Sequence, residues 1–576
     1  MKKLLVYLRP YRLQAILAPC FKLLEAMFEL LVPLIMADII DVGISSGDTA
    51  YILKKCLVLA GLGLCGFASA TCAQYFSAKA ATGATGSLRR ALFAHIQSLS
   101  YAELDRLGTA TLVTRMTSDM NQVQTGLNLT LRLLLRSPIV VFGAMIMAFT
   151  IDTRSALIFA VAIPALFAVV FAIMLSCIPL YRRVQTRLDG VTGAAQENLS
   201  GVRVIRAFTR EQTETESFAE KTGRLFSAQQ FVGRLSALLN PLTYVIINLA
   251  IVAILRVGGV RVNEGAITQG QLIALYNYMS QILVELIKFA NLILNITKSA
   301  ACAGRISQVL DTKSSMADGA GTLPDSAGAP ELEFRHVSFR YPQAGADALT
   351  GISLCAAPGE MIGVIGGTGS GKSTLANLIP RFYDATEGCV LVRGEDVKSL
   401  QLQALRTRIG VVPQKALLFS GTIRENLRWG NADASDEALW DALRAAQADG
   451  VVQDKTGQLD APVEPGGRNF SGGQRQRLTI ARALVRRPEL LILDDSASAL
   501  DFATDAALRK ALSKLPWRPT VVLISQRVSS IRHADRILVL DDGRMAGLGT
   551  HAELMSTCPV YQEICRSQEK GEASAS

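Results

Sequence analysis

Residues 366–373, Gly-Gly-Thr-Gly-Ser-Gly-Lys-Ser, combine the residue types that hold a phosphate chain. The glycines let successive backbone N–H groups turn inward around phosphate oxygens. Lys372 sets an ammonium against the β- and γ-phosphates, and the Ser373 hydroxyl is a ligand for Mg2+. The apolar run 361–365 reads as a strand and 374–379 as a helix, so the loop stands where a helix start adds its positive end. Residues 490–494, Leu-Leu-Ile-Leu-Asp, read as a buried strand ending on the carboxylate of Asp494, placed to hold the hydration shell of the same Mg2+. Between these two runs lies Phe-Ser-Gly-Gly-Gln-Arg-Gln-Arg, 470–477, followed by a helical pattern. There Ser471 and the amides of Gly472 and Gly473 make a second anion site, separate from the first.

Taken in order, these motifs resemble the ATPase domains of ABC transporters, and 470–477 is similar to the signature run that defines that family. The resemblance covers the whole of 331–576 and implies the cofactors ATP and Mg2+. It implies that Tyr341 stacks on adenine and that Gly366, Gly367, Thr368, Gly369, Ser370, Gly371, Lys372, Ser373 and Thr374 surround the phosphates. It makes Ser373, Asp494 and Gln414 of Val-Val-Pro-Gln the Mg2+ ligands, with Gln414 also touching the membrane domain. Ser498-Ala-Leu-Asp501 looks like the loop that joins the two sites. In a head-to-tail dimer of the family, Ser471, Gly472, Gly473 and Gln474 of one subunit face the ATP held by the other.

Three positions depart from the family pattern. Asp495 stands where a glutamate usually polarises water, Gln526 replaces the switch histidine, and Pro465 occupies a position where exporters carry Glu. Phe470 also replaces the usual leucine. Asp is one methylene shorter than Glu, and a misplacement near 1 Å costs on the order of 100-fold in rate. Gln526 donates a hydrogen bond but cannot become cationic. The catalytic positions Asp495, Gln526 and Gln414 therefore point to a site that binds ATP and hydrolyses it poorly, while the signature remains nearly intact. That pairing resembles heterodimeric ABC exporters with one consensus and one degenerate site.

The elements that must position these residues occupy only part of the chain. At 576 residues, with 50% hydrophobic and 19% charged residues, it is too long for one domain and apolar for a soluble protein. Six apolar segments near 15–40, 57–78, 133–151, 156–181, 235–260 and 272–296 each approach the ~20 residues a bilayer needs. The long connections 79–130 and 182–232 keep helical periodicity and many basic residues, which places them on the cytoplasmic side. The expected fold is an all-α six-helix transmembrane domain over 1–310, a Gly/Ser/Ala/Asp-rich linker at 311–330, and an α/β phosphate-loop ATPase domain with an α-helical signature subdomain over 331–576. Residues 1–12 read as a basic, amphipathic interfacial helix rather than a cleaved signal.

The net charge of +10 follows from Lys and Arg flanking the apolar segments, as at Lys2, Lys3, Arg182 and Arg183, and no aromatic-basic platform for nucleic acid is evident. The ten cysteines lack metal-like spacing and fit reduced thiols. Within the spans, Glu25 and Glu29 lie a turn apart, and Glu285, Lys288, Asn291 and Asn295 share one helix face. They read either as a polar stripe lining a substrate cavity or as an ion pair, Glu285 with Lys288, beside asparagines bonded between helices.

The expected protein is one subunit of an ATP-driven exporter in the cell membrane, its nucleotide-binding domain cytoplasmic. Its partner is a second half-transporter carrying the consensus Glu and His, and its surroundings are membrane lipid. Regions around 106–115 and 208–216 are expected to dock on nucleotide domains, by resemblance. A homodimeric flippase or drug pump and a non-hydrolytic regulatory subunit are the competing readings. The transported substrate is not legible.

Overall fold

A computed structural model of the chain describes residues 4–322, 328–342, 344–496 and 498–573. They fall into two compact units, Met1–Gln97 with Thr109–Thr312, and Ser98–Gly108 with Lys313–Ser576.

The first unit is helical. Five helices are long and apolar enough to cross a membrane: Thr49–Ser98, Thr109–Ile151, Thr153–Ser200, Glu211–Asn263 and Gln269–Asp311. At 43 to 53 residues they are roughly 65–80 Å long, at least twice the ~30 Å of a bilayer core. The sixth, Arg12–Asp38, has 27 residues and carries Lys22, Glu25 and Glu29, which lower its hydropathy. Leu53, Leu57, Leu64 and Phe67 of the second helix are exposed, as lipid-facing side chains are, while the buried positions between 69 and 85 are small, among them Ser69, Ala73, Ser77, Ala80 and Ala84. Small residues let helices approach closely where no water drives them together.

Short polar ties close the helix ends. Asp152 caps Thr153–Ser200 by accepting from the Ser155 N–H at 2.9 Å, and takes Arg261 of the fifth helix at 3.1 Å. Asp41 accepts from the Thr268 hydroxyl and from the Gly270 N–H at 2.7 Å, joining the first helix to the start of the last. The N-terminal segment Leu4–Tyr11 is a 3-10 helix containing Pro10, tighter than the amphipathic helix expected there.

The second unit is built on two sheets. A six-stranded sheet runs Arg544–Gly549, Arg536–Asp541, Met361–Gly366, Thr520–Ile524, Leu490–Asp494, Ile409–Val412, with only the first of these antiparallel to its neighbour. Its strands are buried on both faces, so they read as continuous apolar runs. Period two sorts their side chains: Leu491, Leu493, Val521 and Leu523 enter one core, and Leu490, Ile492, Val522 and Ile524 the other. The second core also takes the antiparallel sheet Leu349–Ala356, Leu332–Phe339, Glu387–Val392, Glu395–Asp396. The first takes the helices Ile423–Arg428, Asp436–Ala445 and Gly472–Val485, which form the signature subdomain.

The helix Tyr101–Leu107, read from the sequence as part of a cytoplasmic loop, belongs to this second unit. Its Tyr101 ring lies 4.6 Å from that of Phe382, and the Tyr383 hydroxyl donates to Asp105 at 2.5 Å. Of the stretch read as a linker, 323–327 lie outside the described residues. The preceding part is held: Gly321 bonds Ser399 at 2.9 Å and Gln401 at 2.8 Å, and Asp318 accepts from the Leu402 N–H at 2.7 Å.

All three tryptophans, Trp429, Trp440 and Trp517, lie in this unit, so fluorescence follows its unfolding alone. Ile492 is fully buried at the sheet centre. Ile492→Ala is expected to destabilise this unit by about 2–5 kcal/mol, seen as a lower midpoint of the tryptophan transition in the detergent-solubilised chain.

Candidate functional site

Parallel strands align their carboxyl ends, and four adjacent ones here end at the same edge of the sheet. Met361–Gly366 leads into the phosphate loop, Thr520–Ile524 into Ser525 and Gln526, Leu490–Asp494 into Asp495, and Ile409–Val412 into Gln414. Residues up to 160 positions apart in sequence, from Gly366 to Gln526, thus meet in one place.

The loop depends on glycine at two contacts in particular. Gly371 has φ +93°, and a Cβ there would lie 2.6 Å from the Ala348 carbonyl oxygen. A Cβ on Gly366 would meet the Leu540 carbonyl oxygen at 2.1 Å. Lys372 opens the helix Lys372–Leu378, and its ammonium curls back to the carbonyls of Gly366 at 2.9 Å and Gly367 at 2.6 Å. Burial pushes that ammonium's pKa down, against the pull of Asp495 and Asp494. The Ser373 hydroxyl donates to Asp494 at 3.1 Å. Burial, reinforced by Asp495 alongside, pushes the Asp494 carboxyl up, opposed by the Ser373 hydrogen bond and Lys372. Two adjacent carboxylates beside one ammonium leave a local negative charge, lined by hydroxyl, carboxylate and amide oxygens.

Asp495 sits just past the strand with φ +47°, its N–H bonded to the Ile524 carbonyl at 3.0 Å. Its Oδ2 accepts from the amides of Gln414 at 3.4 Å and Gln526 at 3.5 Å, near the outer limit for such bonds. The three positions singled out in the sequence as catalytic therefore converge on one carboxylate oxygen. Tyr341 reaches the same neighbourhood from the other sheet, its hydroxyl 3.1 Å from the Thr374 hydroxyl.

The signature residues stand apart from this loop. Ser471 caps Gly472–Val485, accepting from the Gln474 N–H at 3.3 Å while the Gln474 side chain accepts from the Ser471 N–H at 3.0 Å. This box pre-sets the helix end and leaves the amides of Gly472 and Gly473 directed out of it. Phe470 is buried against the subdomain core, with the Lys455 ammonium 5.0 Å from its ring, so the larger aromatic is accommodated by packing. The run with Pro465 forms a 3-10 turn, with Gly466 and Gly467 at positive φ.

Two features escaped the sequence reading. Arg527 donates to the carbonyls of Leu500 at 3.1 Å and Ser498 at 3.2 Å, binding the loop before Asp501 to the strand that carries Gln526. Tyr383 packs edge-on against Tyr341 at 5.4 Å and reaches Tyr101 at 6.2 Å, a line of rings from the site to the helix Tyr101–Leu107. The only signal was the pair Phe382-Tyr383 after the loop helix.

Fold and site together define a multi-span membrane domain joined to a phosphate-loop ATPase. Residues 15–286 match the family model of the ABC transporter transmembrane region, and 349–498 that of the ABC transporter ATPase. The chain is 38% identical over 571 residues to an uncharacterized ABC transporter ATP-binding protein of Mycobacterium tuberculosis (strain CDC 1551 / Oshkosh), covering 98% of this chain and 97% of that one. It is 36% identical over 576 residues to the ABC transporter ATP-binding protein YfiB of Bacillus subtilis (strain 168), covering 100% of each. Its fold is similar, with TM-score 0.82, to a bacterial Atm1-family ABC exporter solved with ATP bound, at 24% identity over 97% of this chain and 99% of that one. The chain belongs to the ABC transporter family. It is a multi-pass membrane protein of the half-transporter exporter architecture, an ATP-binding ATPase coupled to transport, with its nucleotide-binding domain on the cytoplasmic side.

Because Gly371 needs a left-handed backbone and has carbonyl oxygen against its missing Cβ, Gly371→Ala is expected to weaken ATP binding at least ~tenfold. Titration with a fluorescent ATP analogue measures it.

Proposed function

We propose that this chain is the degenerate-site subunit of a heterodimeric ABC exporter moving a small molecule, lipid or peptide. It would bind ATP on its own loop while completing, with its signature, the hydrolytic site of a partner. In this reading Tyr341 stacks on adenine and 366–374 wrap the phosphates, with Lys372 exchanging loop carbonyls for phosphate oxygens. Ser373, Asp494 and Gln414 fit Mg2+, since they offer hard oxygen donors around an excess of buried negative charge. Bound there, the ion would neutralise phosphate charge.

The observation that carries the reading is the surrounding of Asp495: a short carboxylate held between two neutral amides. A general base must reach a water in line with the γ-phosphate. Asp495 falls short of a glutamate by about a bond length, and Gln526 offers no imidazolium as charge develops. The intact Ser471 cap supports the other half of the reading, because preorganised donors at a helix start act where phosphate charge develops. Closure of two nucleotide domains over ATP would then drive the membrane helices toward outward opening. Two identical copies would contain two weak sites, so a partner with Glu and His is required for fast turnover.

ATPase measured in a four-variant cycle tests the site. The chain alone is expected to turn over well below the ~10 s⁻¹ typical of enzymes. Asp495→Glu should restore part of the activity and Asp495→Glu with Gln526→His more, while full recovery from Asp495→Glu alone would remove Gln526 from the account.

The assignment of sites has its own test in the assembled complex. Ser471→Arg should nearly abolish hydrolysis, whereas Lys372→Ala should weaken nucleotide occupancy at this chain's site with a milder effect on turnover. Retained hydrolysis in the Ser471 variant with loss in the Lys372 variant would mean that the two sites have been assigned in reverse.

A further inference from the structure

The first and last membrane helices enclose a cavity of about 410 Å³ that the nucleotide chemistry does not use. Its polar lining includes Glu29, Asn277, Ser280, Gln281, Glu285 and Lys288. Behind it stands Arg136 at the start of the helix Arg136–Ile151, a cation the sequence reading had not connected with the polar stripe. Its guanidinium bonds Glu285 at 2.5 Å and Glu29 at 2.6 Å. Glu285 also accepts from Ser137 at 3.1 Å and Lys288 at 2.9 Å. The expected Glu285–Lys288 pair is therefore present but is part of a larger network. Asn295 bonds the Asn291 carbonyl of its own helix at 2.9 Å rather than a neighbouring helix.

The four charges balance, but they are not equally accessible. The side chains of Arg136 and Glu285 are 6% and 3% exposed, whereas those of Lys288 and Glu29 are 47% and 39% exposed. All four are paired within the network, and the two more exposed ones, Lys288 held by Glu285 and Glu29 held by Arg136, face the cavity. A net anion entering beside Lys288, or a net cation beside Glu29, would give this balanced set an excess charge. In a membrane-embedded site either imbalance is costly. A guest with both charges answers both. Gln281 adds a buried carbonyl oxygen that has no hydrogen-bond partner among the described residues, an acceptor suited to an ammonium N–H.

Resting on the exporter reading above, we propose that this cavity is the recognition site for a zwitterionic group of the transported substrate. The group carries a primary ammonium, held by Glu29 and Gln281, a few ångströms from a phosphate or carboxylate held by Lys288. Such a group can come from a lipid headgroup or from a free small molecule.

The test is displacement of a tail-labelled phosphatidylethanolamine from the full chain in detergent, without ATP. Unlabelled phosphatidylethanolamine is expected to compete at a concentration at least ~tenfold below that of phosphatidylglycerol, which has the anion alone. Soluble glycerophosphoethanolamine is the second arm. Competition by it as strong as by the lipid assigns recognition to the free headgroup, and competition by the lipid alone assigns it to a lipid. Lys288→Gln leaves Glu285 paired with Arg136 and should weaken binding at least ~tenfold, as should Glu29→Gln. Equal competition by both lipids on the wild-type chain overturns the proposal whether or not a variant folds, as does unchanged binding in both folded variants. Binding by the chain with no ATP-driven movement of the lipid by the assembled complex would sink the exporter reading and leave the cavity's chemistry standing, so the two fail separately.

Discussion

Hydrogen bonding between parallel strands forces their carboxyl ends to one edge, and the meeting of the phosphate loop with Asp494, Asp495, Gln414 and Gln526 follows from that alignment. The phosphate loop, Asp494 with Asp495, Gln526 and Gln414 each leave a different strand of one sheet. A shift of one residue in any strand would turn its side chains to the other face and carry its terminal residue away from the others. The apolar packing on both faces, with Ile492 and Val522 on one side and Leu493 and Leu523 on the other, therefore sets the geometry of the chemistry. Stability and site are one problem here.

The membrane unit solves the opposite problem, because its solvent is apolar. Its second helix packs through small side chains between 69 and 85, its ends are closed by Asp41 and Asp152, and its interior charges occur in balanced sets. Glu25 pairs with Lys22 at 2.5 Å within one helix, while Glu29 and Glu285 share a guanidinium from a third. Glu25, Glu29 and Glu285 each have a cation beside them, which offsets the cost of a carboxylate at that depth.

Much of this was legible in the residues. The phosphate loop and the strand ending in Asp494 were read in the right context, because a run of buried apolar residues leading to a special turn is a local pattern. Their meeting with Gln414 and Gln526 came only from a family resemblance, since strand order is not a local property. The Glu285–Lys288 pair was readable because both residues share one helix. Arg136 was not, lying 149 positions from Glu285 with no periodicity to connect them. The same limit hid the contact between Tyr383 and the helix Tyr101–Leu107, which links segments 278 positions apart at Asp105. Composition, which marked 311–330 as a linker, says nothing of what holds it, and Gly321 is tied by backbone bonds to Ser399 and Gln401. The start is helical, as the basic amphipathic pattern suggested, but Leu4–Tyr11 takes the tighter 3-10 form with Pro10 inside it.

The backbone at Asp495 has a left-handed conformation, with φ near +47°. Aspartate is among the few residues other than glycine that adopt it readily, because its short side chain finds partners close to its own backbone. Glutamate lacks that relief. The residue that shortens the reach toward water is thus also the one that relaxes the turn carrying it. If, as proposed, this site is released from fast turnover, selection for a comfortable fold would hold aspartate in place. The return to glutamate would run uphill in conformational strain before any gain in chemistry was felt.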